Sequence, residues 1–340
     1  MGPIFLDLND TTLSAEEREL IQHPQVGGLL FFTRNYESPM QLKELIREVR
    51  AHSRQRLLLT VDQEGGRVQR FQSGLTCLPS LGNIGALYRE DPIRAELLAE
   101  THGWLMASEV LALGVDLSFA PVLDLDKQLN AVIGLRALHH DPKIVTTLGR
   151  AVIRGIQRAG MRTVGKHFPG HGCVTQDTHT EVARDTRDYA TMATEDLYPF
   201  IELTSDLDAI MAAHIIYENI DSLPCGLSKK WLQTILREKL RFTGAVFSDD
   251  LSMKGVHTVG DIIERVSLAQ QAGVDGLLIC NHRQDAIAAL EHLERTTKPL
   301  IDRSNRLQNL LAPRTLDGAA LPRNGAWQRA VRLLSELNEH

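Results

Sequence analysis

A chain of 340 residues is long enough for one large domain or two average ones, and 43% hydrophobic beside 24% charged residues is the balance of a soluble globular protein with a sizeable core. The formal net charge of -6 is mild and the lysines and arginines are scattered among acids, so a nucleic-acid-binding surface, which needs clustered cations, is not expected. The opening Met1, Gly2, Pro3, Ile4, Phe5 lacks the basic start and apolar run of a signal peptide, no apolar stretch reaches membrane-span length, and Cys77, Cys173, Cys225 and Cys280 form no Cys-x-x-Cys; a cytoplasmic protein with no membrane partner and reduced thiols is predicted.

Along the chain, short apolar runs bounded by turn residues alternate with longer stretches of helical period, the pattern of repeated βα units around a parallel sheet. Eight runs read as strands: Ile4 to Leu8, Gly28 to Phe32, Leu57 to Asp62, Asp116 to Pro121, Arg162 to His167, Ala209 to His214, Ala245 to Asp249, and Asp275 to Cys280. Between them lie one-faced apolar stretches, among them Leu42, Leu45, Ile46, Val49 and Trp231, Leu232, Ile235, Leu236, which read as outer helices.

An α/β chain of this kind closes as a (β/α)8 TIM barrel or opens as a doubly wound sheet. Polar groups decide for the barrel: chemically useful residues stand at the ends of six strands, whereas an open sheet gathers its site at one switch point. No linker divides the chain, so residues 1–340 are expected to form one catalytic domain, with about 299–340 as a C-terminal helical tail packed on the barrel. Nothing in the sequence fixes an oligomeric state, and a monomer suffices.

The densest chemistry is Lys166, His167, Phe168, Pro169, Gly170, His171, Gly172, followed by Asp177, Thr178 and His179. Lys166 and His167 close strand five, and the Pro and Gly residues then force a long loop. An aspartate two residues before a histidine can fix its tautomer and stabilise its protonated form, which makes His179 a general acid/base candidate with Asp177 as partner. His167, His171, Asp177 and His179 are also possible metal ligands, giving a metal-dependent barrel hydrolase as a remote alternative, but they match no recognised ligand spacing, so neither metal nor cofactor is predicted.

At the end of strand seven, Asp249 and Asp250 are adjacent carboxylates that strand alternation turns apart. One of them can serve as a nucleophile, and either can instead cap the following turn. After strand three, Asp62 and Arg67 flank Gly65 and Gly66 and offer a carboxylate and a guanidinium to vicinal hydroxyls, or simply a salt-bridged turn.

The strings VDQEGGRVQR (61–70), KHFPGHG (166–172) with Asp-Thr-His after it, and FSDDLSMKG (247–255) resemble glycoside hydrolase family 3, in particular its single-domain bacterial β-N-acetylglucosaminidases of cell-wall recycling. The resemblance runs from strand one to strand eight. It implies a retaining two-step mechanism with Asp249 as nucleophile, Asp177 and His179 as an acid/base dyad, and Asp62, Arg136, Lys166 and His167 on the sugar, with Arg67 and His214 as further supports. It also implies an exo-acting β-N-acetylhexosaminidase that releases N-acetylglucosamine from peptidoglycan-derived muropeptides, a small-molecule glycan partner. A histidine acid/base serves a phosphorylase equally, because it does not repel incoming phosphate, so an N-acetylglucosamine β-glycoside phosphorylase is the alternative. The sequence departs from the family where Gly-Asp-Arg-Ser-Phe-Gly is expected: it reads Gly134, Leu135, Arg136, Ala137, Leu138, His139, which puts the orientation of Arg136 in question.

Overall fold

The computed structural model describes every residue except 130, 179, 180, 297–300, 314, 315 and 338–340. Eight parallel strands form the barrel: β1 (Ile4–Asp7), β2 (Val26–Phe31), β3 (Leu58–Val61), β4 (Leu117–Ser118), β5 (Val164–Phe168), β6 (Ala209–Ala212), β7 (Ala245–Ser248) and β8 (Leu277–Leu278). Two ladders carry the pairing, β8-β1-β2-β3-β4 and β7-β6-β5. Single parallel bridges, Val122 to Lys166 and Phe247 to Gly276, join them at both edges and close the ring.

Several strands are shorter than their apolar runs, for local reasons. Pro121 has no N–H to donate, and the Ala120 N–H turns back to the Ser118 carbonyl at 2.8 Å, so β4 stops early. Beyond β8, side chains replace ladder partners: Ser248 Oγ accepts the Leu278 N–H at 3.2 Å and Asp250 Oδ1 accepts that of Cys280 at 3.1 Å.

The barrel interior is packed by side chains. Phe247 on β7 meets Phe5 on β1 and Phe119 after β4 edge to face, each at 5.2 Å between centroids. These rings fit because Gly28 and Gly276 carry no side chain: an added Cβ would lie 2.3 Å from Phe5 and 2.4 Å from Phe247, respectively. All three phenylalanines are fully buried, and together they make a floor beneath the C-terminal mouth.

Crossover helices surround the strands. In Pro39–His52 the Leu42, Leu45, Ile46, Val49 face is buried, and in Lys230–Lys239, whose last turn bonds the Leu240 N–H to the Ile235 carbonyl, Trp231, Leu232, Ile235 and Leu236 are buried. The long helices Pro92–Leu113 and Pro142–Ala159 each start with an Asp N-cap and Pro at the first position, and each stops at a glycine, local signals that read directly from sequence.

The tail contacts the opposite end of the barrel from the strand C-termini. Asp275, fully buried before β8, is held by Arg306 at 2.7 Å and Arg237 at 3.2 Å. Asp116, before β4, accepts from Arg50 at 2.8 Å and from the Ala312 N–H at 3.3 Å. Farther along, Trp327 Nε1 donates to Glu109 at 3.0 Å. These contacts place the tail away from the polar strand ends.

Candidate active site

A cavity of about 360 Å3 opens at the C-terminal mouth above the phenylalanine floor. Its wall includes Asp62, Arg67, Arg70, Arg136, Lys166, His167, Asp249, Asp250 and Asn281. Six of the nine expected site residues are among these, and they come from four different βα connections, which sequence proximity alone does not gather.

The segment after β3 is a hairpin, Gln63–Gly65 pairing antiparallel with Val68–Gln69. Its turn needs Gly65 at φ +97° and Gly66 at φ +55°, and a Cβ on Gly65 would lie 2.6 Å from the Pro79 carbonyl. The hairpin carries Arg67 to its exposed tip, where the guanidinium donates to the Val132 and Ala131 carbonyls. Arg70 returns at the hairpin exit, 3.9 Å from Asp62 and 5.9 Å from the Phe32 ring centroid. The cations that face Asp62 are Arg70 and Lys166, while Arg67 lines the same cavity from the hairpin tip. Arg70 stood within the VDQEGGRVQR string, and only the hairpin distinguishes it from Arg67.

Glu64, which the sequence places among the polar groups after strand three but not among the site residues, is the hub of this wall. Its carboxylate accepts from Arg136 Nε and Nη2, both at 2.8 Å, and from Lys166 Nζ at 2.6 Å. Lys166 also reaches Asp62 at 2.7 Å. Burial by itself would raise the Glu64 carboxyl, but the Arg136 guanidinium and the Lys166 ammonium hold it well below the ordinary carboxylate range. Burial opposes the charge on Lys166 and Arg136 too, and their carboxylate neighbours outweigh it, so both stay cationic.

This hub also settles the question raised by Leu135. The bidentate grip of Glu64 fixes Arg136, whose side chain is only 10% exposed and lines the cavity. Leu135 itself points outward, 60% exposed, with its backbone and a methyl group 3.0 Å from where a Cβ on Gly82 would stand.

At the end of β5, Asp124 holds the backbone and ring of His167. It is fully buried and accepts the His167 ring Nδ1 at 2.6 Å, the His167 N–H at 3.1 Å and the His171 N–H at 2.8 Å. With Nδ1 so occupied, Nε2 is the ring nitrogen of His167 left to face the cavity. Burial would raise the Asp124 carboxyl, and the adjacent His167 brings it below its ordinary value. Lys166 and His167 both line the cavity, and the peptide between them is cis.

The adjacent carboxylates after β7 separate by environment. Asp250 Oδ1 accepts from the Ser252 N–H at 2.9 Å, the Ser252 hydroxyl at 2.7 Å and the Cys280 N–H at 3.1 Å, so it ties two loops together. Burial pushes its carboxyl up to about 6. Asp249 lies at the cavity wall, its amide bonded to the Ala212 carbonyl at 3.1 Å and its Oδ1 accepting the Asp250 N–H at 2.9 Å.

His214 is not part of the wall. It is fully buried, with Nε2 3.1 Å from the Asp250 carbonyl oxygen, and burial lowers its pKa. Its ring, expected as a further support for the sugar, lies against the backbone that follows Asp249. Burial and the nearby Arg136 lower the pKa of Arg67, and Asp177, which is partly buried, acts against that shift; His179 lies outside the described residues.

Two groups bear on metal binding. Of the four residues weighed as ligands, His167 Nδ1 is taken by Asp124 and His171 Nε2 by Thr178 at 3.1 Å. Among the described residues, ligand atoms of Cys173, Glu195 and Asp196 lie within 4.8 Å of one another. Arg187 already donates to both carboxylates there, at 2.8 and 2.5 Å, and burial pushes the Cys173 thiol up, so the cluster is an ion-paired buttress of the loop after β5.

Comparison with known proteins joins this geometry to chemistry. Residues 5–310 match the Glycosyl hydrolase family 3 N terminal domain. A beta-hexosaminidase of Pseudomonas aeruginosa is 50% identical over 294 residues, 86% of this chain and 87% of that protein. One from Alkalilimnicola ehrlichii is 47% identical over 334 residues, 98% of this chain and 95% of that protein. Among solved structures, NagZ from Neisseria gonorrhoeae in complex with N-trifluoroacetyl-D-glucosamine superposes with a TM-score of 0.91 at 36% identity, covering 99% of this chain and 98% of that one.

Proposed function

The chain belongs to glycosyl hydrolase family 3, and from that premise we propose that it is a retaining exo-β-N-acetylglucosaminidase working through a covalent glycosyl-aspartate at Asp249. The observation that carries this reading is that Asp249 lines one small cavity together with Asp62, Arg136, Lys166 and His167. A carboxylate nucleophile needs the sugar ring held with C1 towards it, and ionised or hydrogen-bonding groups elsewhere on the wall supply that hold. The relatives' beta-hexosaminidase activity and the amide-bearing glucosamine bound by the gonococcal protein favour a 2-acetamido sugar.

In the first step the Asp249 carboxylate bonds to C1 while the C1–O bond to the aglycone breaks, and the leaving oxygen takes a proton from His179, held protonated by Asp177. In the second, His179 removes a proton from water, which attacks C1 and releases Asp249; two inversions give retention. The buried cations do not titrate with these groups, so the sugar-binding wall keeps its charge while the acid/base changes state. The cavity's volume suits one terminal sugar, which favours exo action on muropeptides. Four cysteines, none in a disulfide, and the lack among described residues of a helix able to cross a membrane fit a cytoplasmic role in cell-wall recycling, with the whole chain acting as one catalytic domain.

The test is covalent trapping with a 5-fluoro-N-acetylglucosaminyl donor followed by peptide mass spectrometry. The adduct is expected on Asp249; an adduct on another residue overturns the assignment. In phosphate buffer the turnover product should be free N-acetylglucosamine, and its 1-phosphate would establish the phosphorylase instead.

A further inference from the structure

Between residues 175 and 182, Thr178 is the buried point among the described residues: it is 1% exposed, while Thr175 and Glu181 are open to solvent. A polar side chain buried in the middle of a surface loop requires partners. Its hydroxyl lies 3.1 Å from His171 Nε2, and its carbonyl accepts the Gly255 N–H at 2.9 Å. His171 is itself fixed, since its amide donates to Asp124 at 2.8 Å and the Tyr217 hydroxyl donates to the neighbouring Gly170 carbonyl at 2.7 Å. Gly255 belongs to the loop that follows Asp249, and a Cβ there would stand 2.9 Å from the Thr178 carbonyl oxygen. Thr178 is thus gripped from the roots of two different βα loops.

We propose that His171 is a positioning residue, latching the loop that carries Asp177 to the barrel through Thr178. The inference rests on the reading of Asp177 and His179 as the acid/base pair. Burial lowers the pKa of His171 to about 4, so near neutral pH its ring stays uncharged and its bond to the threonine hydroxyl persists. His171 touches no reacting atom in this scheme. It acts only by fixing where the dyad stands, and a displacement of about 1 Å at such a pair costs up to about 10²-fold in rate.

The experiment compares Thr178→Val, which keeps shape and removes the hydroxyl, with His171→Leu and the double variant. Each is assayed on N-acetyl-β-glucosaminides with a 2,4-dinitrophenolate and with a poor 4-methoxyphenolate leaving group. Expected are losses in kcat/KM on the order of 10- to 100-fold with the poor leaving group, near-wild-type rates with the activated one, and no further loss in the double variant. Equal losses with both leaving groups, or a Thr178→Val variant that behaves as wild type, would overturn the latch. His179→Ala serves as the reference: if it lacks leaving-group dependence, the acid/base reading itself fails. In that case amide hydrogen exchange over 174–182 decides the latch alone, with faster exchange in Thr178→Val supporting it and unchanged exchange overturning it.

Discussion

Replacing Glu64 by glutamine keeps the side chain's shape and removes the charge at the centre of the cationic wall. The carboxylate accepts three short bonds, two from Arg136 at 2.8 Å and one from Lys166 at 2.6 Å, where the partner side chains are 10% and 2% exposed. Removing one partner of a buried ion pair costs about 3–5 kcal/mol, because the remaining charge is stranded in a poor solvent. Two features offset part of that. Glutamine retains one acceptor oxygen, and Asp62 still meets Lys166 at 2.7 Å. The expected loss of unfolding free energy is therefore about 3 kcal/mol, read by urea denaturation near neutral pH. With Arg136 no longer gripped in two places, KM for an aryl N-acetyl-β-glucosaminide should rise about tenfold or more. Adding Arg136→Gln should cost less than the sum of the single changes, with a coupling of about 1–3 kcal/mol, since it removes the stranded guanidinium. A Glu64→Gln protein with unfolding free energy within about 0.5 kcal/mol of wild type and an unchanged KM would refute the hub.

Asp249→Ala should lower turnover at least about 10³-fold, whereas Asp250→Asn, which can keep its three accepted bonds, should stay within about tenfold; reversed effects in steady-state assays would exchange the two roles. His171 and His102 are both buried with pKa lowered to about 4 from 6.5, so the unfolded chain binds their protons first. Stability from this source is complete above pH 6.5 and is lost as pH falls towards 4, by about 3 kcal/mol for each histidine; a melting temperature equal at pH 7 and pH 4.5 would contradict it. Gly155→Ala gains about 1 kcal/mol in helix propensity, but its Cβ would lie 2.0 Å from the Glu100 carbonyl of the neighbouring helix, so net destabilisation is expected in thermal melts.

Sequence by itself determined the alternation of elements, because a buried parallel strand must be an apolar run and an outer helix must carry an apolar stripe. The runs beginning at Ile4, Ala209 and Ala245 are strands in the structure, and the Asp-Pro starts at 91 and 141 are helix N-termini. It also singled out Asp62, Lys166, His167 and Asp249, which stand at or next to strand ends where a parallel barrel must gather its chemistry. What it could not decide were relations between segments distant in the chain. Glu64 and Arg136 lie 72 residues apart, and Asp124 and His167 lie 43 apart, and nothing in their spacing announces that one buries its charge against the other. That Arg70 rather than Arg67 faces Asp62 came from a hairpin whose exit returns to the end of β3. His214 is fully buried, its ring turned to the Asp250 carbonyl, a contact between segments that nothing in the local pattern announces. Strand ends are written in local pattern; the partners of a buried charge are fixed only when closure of the barrel removes water and leaves each ion to be satisfied by whatever side chain the fold brings within reach.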